Sequence, residues 1–434
     1  MLPIIKINCF FFGFSIILIE NKKKIIEYSN IYEPILPLNN EEYIVKKYHI
    51  SNYNLTHPRY SFQDKYSKRQ LFKINYSFYP YLEISKSLSY EKNAMNIYES
   101  TGMLNITKLE FYYFKKGTSI NILELNHIHV SMGFDKDYSD LALISIASVL
   151  NSSSSDTYIH FHILGLNFGF KEIKKIIDLR KINNKVEFIF YNAKQIEYDF
   201  EFSKKERRGS GNFARLLSPQ IINNTNKILF LDSGDIIAQK DLSEIYFYDL
   251  KDNYFGWSLE ICAGYYLKYI DKFASNNFHP QGGVLLVNIR LFRKDELYKK
   301  AVFVSRSYNN FENPCQDILE TIANYKFVFI PLNFNVNLHY DNDKDMHEKK
   351  NISIISIWLK NQRFSPYKYE YNEFIDAMID PVISHYYFGK MQEEKNCIKP
   401  LLQWLKYVNL TGRYESLKLK YPKPFECEKK FSFK

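Results

Sequence analysis

The chain has 434 residues and 46 % hydrophobic content, enough for a large domain with appendages and a sizeable core. Its net charge of +10 is spread in short runs such as Lys22–Lys24 and Arg207–Arg208. No periodic basic and aromatic interleaving occurs, which argues against nucleic acid as a partner.

The five cysteines stand far apart with no Cys-Xaa-Xaa-Cys spacing, which argues against a structural zinc site. With Cys9 in a targeting segment, Cys262, Cys315, Cys397 and Cys427 suffice for two disulfides in an oxidising lumen; buried free thiols are the alternative. The apolar run Cys9–Ile19 follows Lys6 and is shorter than the ~20 residues a membrane helix needs. Residues 1–20 therefore read as a secretory signal or short membrane anchor, with a buried strand as the alternative. Residues 21–118 are polar and Tyr-rich and read as a stem or irregular N-terminal extension. Asn-Xaa-Ser/Thr sequons, among them those at Asn54, Asn151, Asn223 and Asn409, are compatible with lumenal glycosylation.

From Ile120 the pattern becomes regular. Ile128–Met132 reads as a strand, Ala142–Leu150 as an amphipathic helix and Tyr158–Leu164 as a second strand. Lys171–Leu179 follows as a helix, Val186–Phe190 as a strand, Phe213–Gln220 as a helix and Ile228–Leu231 as a strand. This alternation argues for a parallel, doubly wound α/β sheet. The pairs His127/His129 and His160/His162 each project to one strand face, as strands crossing a packed sheet would; a metal pair is the weaker alternative. Further on, Leu242–Tyr248 reads as a helix, Gly282–Asn288 as a strand, Arg290–Val304 and Cys315–Ala323 as helices, and Phe327–Pro331 as a strand. Asn333–Asn335 reads as a loop and Val382–His385 as a short strand with Gly389 and Lys390 beyond it. From Ile398 one helix and an extended end are expected, with the tail set at 411–434 and the catalytic domain at 119–410.

The chemistry concentrates where the apolar strand Ile228–Leu231 stops on Asp232 and Asp235 follows across Ser233-Gly234. Open α/β sheets bind ligands beyond the carboxyl ends of their strands, and two carboxylates there can hold a hard cation that in turn holds phosphate oxygens. An ordinary turn, with Gly234 at positive φ, is the plain alternative.

The order of Ile128-His-Val-Ser-Met-Gly-Phe-Asp-Lys-Asp-Tyr138, Phe213-Ala-Arg-Leu-Leu217, Asp232-Ser-Gly-Asp235, Gln281-Gly-Gly-Val-Leu-Leu-Val-Asn288, Cys315-Gln-Asp-Ile-Leu319 and His385-Tyr-Tyr-Phe-Gly-Lys390 resembles the glycogenin-like retaining glycosyltransferases, family 8. The likeness spans about residues 126–407. It implies a GT-A fold, a doubly wound mixed sheet that is Rossmann-like and binds nucleotide-sugars. It also implies a UDP-sugar donor, Mn²⁺ or Mg²⁺, and a hexose or pentose passed to a glycan, glycoprotein or glycolipid acceptor. By that likeness Asp135 and Tyr138 meet the uridine, and Arg215, Gln281 and Gly283 meet the donor. Asp232, Asp235 and His385 hold the metal, Gly389 and Lys390 grip the diphosphate, and Gln316 and Asp317 lie beside the anomeric carbon. The family's acidic motif is Asp-Xaa-Asp; here it is one residue longer. The family prefers Asn at Gln281 and an acid at Cys315, so a catalytically inactive glycosyltransferase-like binding protein is the rival reading. A nucleotidylyltransferase would need a Gly-rich phosphate loop after the first strand, where Met132-Gly-Phe-Asp offers a single glycine. The expected location is the lumen of the Golgi or ER, with membrane association through the N-terminus; the cytoplasm is the alternative.

Overall fold

Continuous apolar runs between turn residues dictate strands covered on both faces, and the computed structural model sets them side by side. It describes residues 102–105, 112–115, 118–121, 125–200, 210–259, 280–307, 314–337, 371–386 and 399–431, with Met95, Tyr98 and Glu99 ahead of them. The strands are β1 (Met103–Asn105), β2 (Tyr112–Lys115), β3 (Thr118–Asn121), β4 (Asn126–Asp135), β5 (Thr157–Leu166), β6 (Val186–Asn192), β7 (Lys227–Leu231), β8 (Ile236–Ala238), β9 (Phe255–Leu259), β10 (Pro280–Asn288), β11 (Phe327–Phe329), β12 (Val336–Asn337) and β13 (Ile383–His385).

Eight strands form one sheet in the order β1-β6-β5-β4-β7-β10-β9-β11. β6, β5, β4 and β7 run parallel; β10 pairs antiparallel with β7 and with β9. The sheet is mixed, in agreement with the expected α/β architecture. The chain winds outward from β4 through β5 to β6 and then returns to the other side of β4 as β7. That reversal opens a crevice beyond the carboxyl ends of β4 and β7, where Asp135 and Asp232 stand. A second sheet, β12-β13-β8, begins directly after the acidic turn. β1, from the stretch expected as an extension, pairs antiparallel with β6, so the folded unit takes in Met103–Asn105.

The helices that matter are α1 (Ser139–Ser152), α2 (Phe170–Ile177), α3 (Ala214–Ile221), α4 (Ile289–Lys294), α5 (Leu297–Ser307), α6 (Pro314–Ala323), α7 (Tyr371–Ile379), α8 (Lys399–Thr411), α9 (Tyr414–Lys420) and α10 (Pro422–Phe431). α1 was expected to be amphipathic, yet every residue from Leu141 to Leu150 is buried. Ala142, Leu143 and Ile146 join the main core beside the sheet, while Leu141 and Ile144 pack with Trp404, Leu405 and Val408 of α8. The helix is a middle layer, and its polar residues have structural partners. Ser145 Oγ accepts from Gly234 N at 2.9 Å and donates to Ile236 O at 2.8 Å, while Ser148 Oγ accepts from Ala238 N. Two serines inside an apolar helix thereby pin the acidic turn and the start of the small sheet.

Two expectations give way. The helix foreseen over Arg290–Val304 is two helices, α4 and α5, broken where Glu296 takes φ 52° and Asp295 accepts a hydrogen bond from Tyr254 Oη at 2.5 Å. The tail is helical through α9 and α10 rather than extended, because Leu417, Phe425 and Cys427 bury against Trp404. The two-disulfide arrangement is also corrected. Cys427 is disulfide-bonded, but Cys315 is a free buried thiol whose Sγ donates to Asn212 O. Among the described residues no helix is long and apolar enough to cross a membrane; residues 1–20 lie outside them.

Candidate active site

Asp232 is the first residue past β7, and its backbone N donates to Gly283 O at 2.8 Å, continuing the β7–β10 pairing. Its side chain therefore points from the end of the sheet into the crevice. Arg215, buried in the first turn of α3, donates from Nη2 to Asp232 Oδ1 at 2.6 Å. Its Nε is held by Asn212 O at 3.0 Å, so the guanidinium is fixed at both ends. On the other oxygen, His385 Nε2 lies 3.9 Å from Asp232 Oδ2. His385 closes β13 in the small sheet, so Asp232 is met from two sides by residues of different elements.

Gly283 is what lets them meet. A Cβ there would lie 2.1 Å from His385 Cε1 and 2.9 Å from Asp232 Oδ2. Next to it, a Cβ on Gly282 would come within 2.2 Å of Arg215 Nη1 and 3.3 Å of Gln316 Cγ, which places Gln316 against the arginine. Asp317 follows, half-buried in the first turn of α6. Gln281 Oε1 accepts from Gly283 N at 2.6 Å, a local bond that turns the amide inward.

Asp235 belongs to a neighbouring group. Gly234 takes φ 82° between the two carboxylates, the left-handed conformation anticipated for this turn, at no steric cost. Tyr386 N donates to Asp235 O at 2.7 Å and ties the turn to the end of β13. The Asp235 carboxylate accepts from Tyr138 Oη at 3.0 Å. Burial and the Asp235 charge both push the Tyr138 phenol well above its ordinary range, which keeps the proton on the phenol and the donor role with Tyr138. Asp135 caps the turn before Tyr138, its Oδ1 accepting from Tyr138 N at 2.9 Å.

The structure thus brings Arg215, Asp232, Gln281, Gly283, Gln316 and His385 together and sets Asp135, Tyr138 and Asp235 beside them. Among the described residues no group of three or more His, Cys, Asp or Glu side chains is arranged to hold a metal ion, and the Asp235 carboxylate is turned to Tyr138. Gly389 and Lys390 lie outside the described residues. Asn335, read from the sequence only as loop, is buried against this group: its Oδ1 pairs with His385 Nδ1 at 3.0 Å and its Nδ2 donates to Gln281 Oε1 at 3.0 Å. In a chain so rich in asparagine, nothing in the local pattern marks it out.

The four paired histidines sit away from the crevice on one face of β4 and β5. His127 Nδ1 and His160 Nε2 are 2.8 Å apart, and His129 Nδ1 and His162 Nε2 are 3.0 Å apart. Glu187 and Tyr191 take the outer nitrogens of His160 and His162. This is a hydrogen-bonded structural network within the sheet.

Comparison with known proteins agrees with this fold. The family model described as glycosyl transferase family 8 matches residues 129–357, more than half of the chain. A protein of Arabidopsis thaliana, "Probable galacturonosyltransferase 4", is 31 % identical over 112 residues, which cover 24 % of this chain and 18 % of that protein. Among solved structures, the WbbM bifunctional glycosyltransferase matches with TM-score 0.55 and 16 % identity, over 67 % of this chain and 51 % of that one. The galactosyltransferase LgtC, in complex with donor and acceptor sugar analogs, matches with TM-score 0.47 and 19 % identity, over 66 % of this chain and 95 % of that one. The chain spans less than a fifth of the plant relative and about half of WbbM. It belongs to glycosyl transferase family 8, the retaining enzymes that move a sugar from a nucleotide-sugar donor to an acceptor.

Proposed function

We propose that the protein is a metal-dependent transferase that uses a UDP-sugar and delivers a hexose or pentose to a glycan, glycoprotein or glycolipid acceptor. The observation that carries this reading is Asp232 held between Arg215 at 2.6 Å and His385 at 3.9 Å, at the switch point of the sheet. The donor set of Asp232, His385 and Asp235 suits Mn²⁺ in chemistry, mixing one imidazole with carboxylates. When bound, the ion supplies positive charge to the departing diphosphate.

The chain's own residues do the rest. Arg215, buried and always charged, adds a fixed cation within reach of phosphate oxygens and fixes the position of the Asp232 carboxylate. Gln316, packed against Arg215, is on hand for the donor sugar, and Asp317 follows it on the same helix turn as the candidate nucleophile or transition-state stabiliser. Asp135 and Tyr138 flank the crevice as uridine contacts, and Gly389 and Lys390 follow β13 as diphosphate contacts. Residues 1–20 act as signal or anchor for a catalytic domain centred on 119–410. Delivery to the Golgi or ER lumen is supported by the disulfide at Cys427 and by exposed sequon asparagines at Asn151, Asn223 and Asn409.

The test is turnover. Purified full-length protein with Mn²⁺ and a panel of UDP-sugars should release UDP, chelation should stop it, and Asp232→Asn or His385→Ala should abolish it. UDP release that continues undiminished under chelation would overturn the metal requirement. A chain that binds and turns over none of the UDP-sugars would overturn the donor assignment.

A further inference from the structure

From its contacts we infer that Asn335 is a positioning residue that sets the tautomer of His385, so that the imidazole turns a lone pair toward Asp232. Gly283 N can only donate, and it donates to Gln281 at 2.6 Å, so the Gln281 atom there is the carbonyl oxygen. The Asn335 atom 3.0 Å from that same oxygen must then be its NH₂. The second NH₂ proton goes to Ser258 Oγ at 2.9 Å. The remaining Asn335 atom is the carbonyl oxygen, 3.0 Å from His385 Nδ1. An amide oxygen only accepts, so Nδ1 carries the proton. In the neutral ring this leaves Nε2 as the lone-pair nitrogen, and Nε2 is the atom 3.9 Å from Asp232 Oδ2.

Every link is enclosed: Gln281 and Asn335 are each 1 % exposed and His385 0 %, so water cannot readily replace a lost partner. A backbone N–H of β10 thus dictates, through two side-chain amides, which nitrogen of a histidine in the other sheet is available as a ligand. Supporting groups of this kind orient metal-bound histidines, and their loss typically costs 10- to 100-fold in metal affinity. The step to metal rests on the proposed metal dependence; the tautomer does not.

The experiment is long-range ¹H–¹⁵N spectroscopy of ¹⁵N-histidine-labelled, metal-free full-length protein at neutral pH, with His385 assigned by its loss in His385→Ala. Wild type should show the Nδ1–H tautomer. Asn335→Ala should shift it toward a mixture and weaken Mn²⁺ binding by roughly 10- to 100-fold. Asn335→Asp, which keeps an acceptor for Nδ1 while losing the donor to Gln281, should keep the proton on Nδ1. Ser258→Ala should leave it unchanged. A wild-type Nε2–H tautomer would overturn the inference without recourse to any variant. So would a tautomer that is unchanged in a folded Asn335→Ala protein. If wild type shows the Nδ1–H form but binds no Mn²⁺, the metal reading fails and the tautomer assignment stands.

Discussion

Asp232 Oδ2 and His385 Nε2 face each other across 3.9 Å because residue 283 has no side chain. A methyl group there would sit 2.1 Å from the imidazole, inside any permissible contact, and would drive the ring away from the carboxylate. Gly283→Ala should therefore cost about 1–3 kcal/mol of stability through overpacking. It should lower kcat/KM by roughly 10²-fold, the scale of a 1 Å misplacement. Urea unfolding and steady-state UDP release measure the two effects. Full activity in this variant would show that the Asp232–His385 geometry is not used.

Tyr138 holds Asp235 away from its partner carboxylate. Tyr138→Phe removes a hydrogen bond to a charged group, with an expected loss of about 1.5–3 kcal/mol in unfolding free energy. An Asp235 carboxylate no longer held by Tyr138 should tighten Mn²⁺ binding severalfold, read by titration calorimetry. Unchanged or weaker binding would argue that Asp235 is no metal donor and that its place is structural.

Arg215 is fixed by Asn212 and Asp232 at once, a geometry that suits a planar guanidinium and not an ammonium. Arg215→Lys should lose about 1.5–3 kcal/mol of transition-state binding, roughly 10- to 100-fold in kcat/KM. In unfolding free energy, the losses from Arg215→Lys and Asp232→Asn should be non-additive in the double variant, since each single change already breaks the shared bond. Strict additivity in that cycle would count against a working pair.

The histidine network makes the fold sensitive to acid. Burial, and then the neighbouring His160 and His127, lower His129 from 6.5 to about 2, and burial holds His162 well below its ordinary value. In the unfolded chain both rings protonate below about pH 6.5, while the folded protein keeps them neutral. Their contribution is intact above that pH and declines as pH falls through the window down to about 2. Each ring should remove about 1.4 kcal/mol per pH unit there. Urea midpoints between pH 7 and pH 5 should fall accordingly, and His129→Gln should flatten the slope. Midpoints that rise on acidification would contradict this.

Most of the sheet was legible because β5, β6 and β7 are almost wholly buried and rich in Ile, Phe, Leu and Val, while β4 alternates Ile128, Val130, Met132 and Phe134 with His and Ser. Asp232 was legible as the place where such a run ends. β8 and β9 were not: Ile236–Ala238 has only three residues, and Phe255–Leu259 carries a glycine and a serine that dilute the pattern. The full burial of α1 was hidden because Ser145 and Ser148 look like a polar face until their backbone partners are seen. Asn335 escaped because its importance lies in contacts with Gln281 and His385, 54 and 50 positions away, which local pattern cannot encode.

The acidic turn joins two bodies. Asp232 ends β7 of the large sheet, whereas Asp235 opens onto β8 and His385 ends β13 of the small one. Ser233 and Gly234, which lie between Asp232 and Asp235, form the covalent joint along that seam. The separation of the candidate ligands is therefore a measure of how the sheets sit against each other.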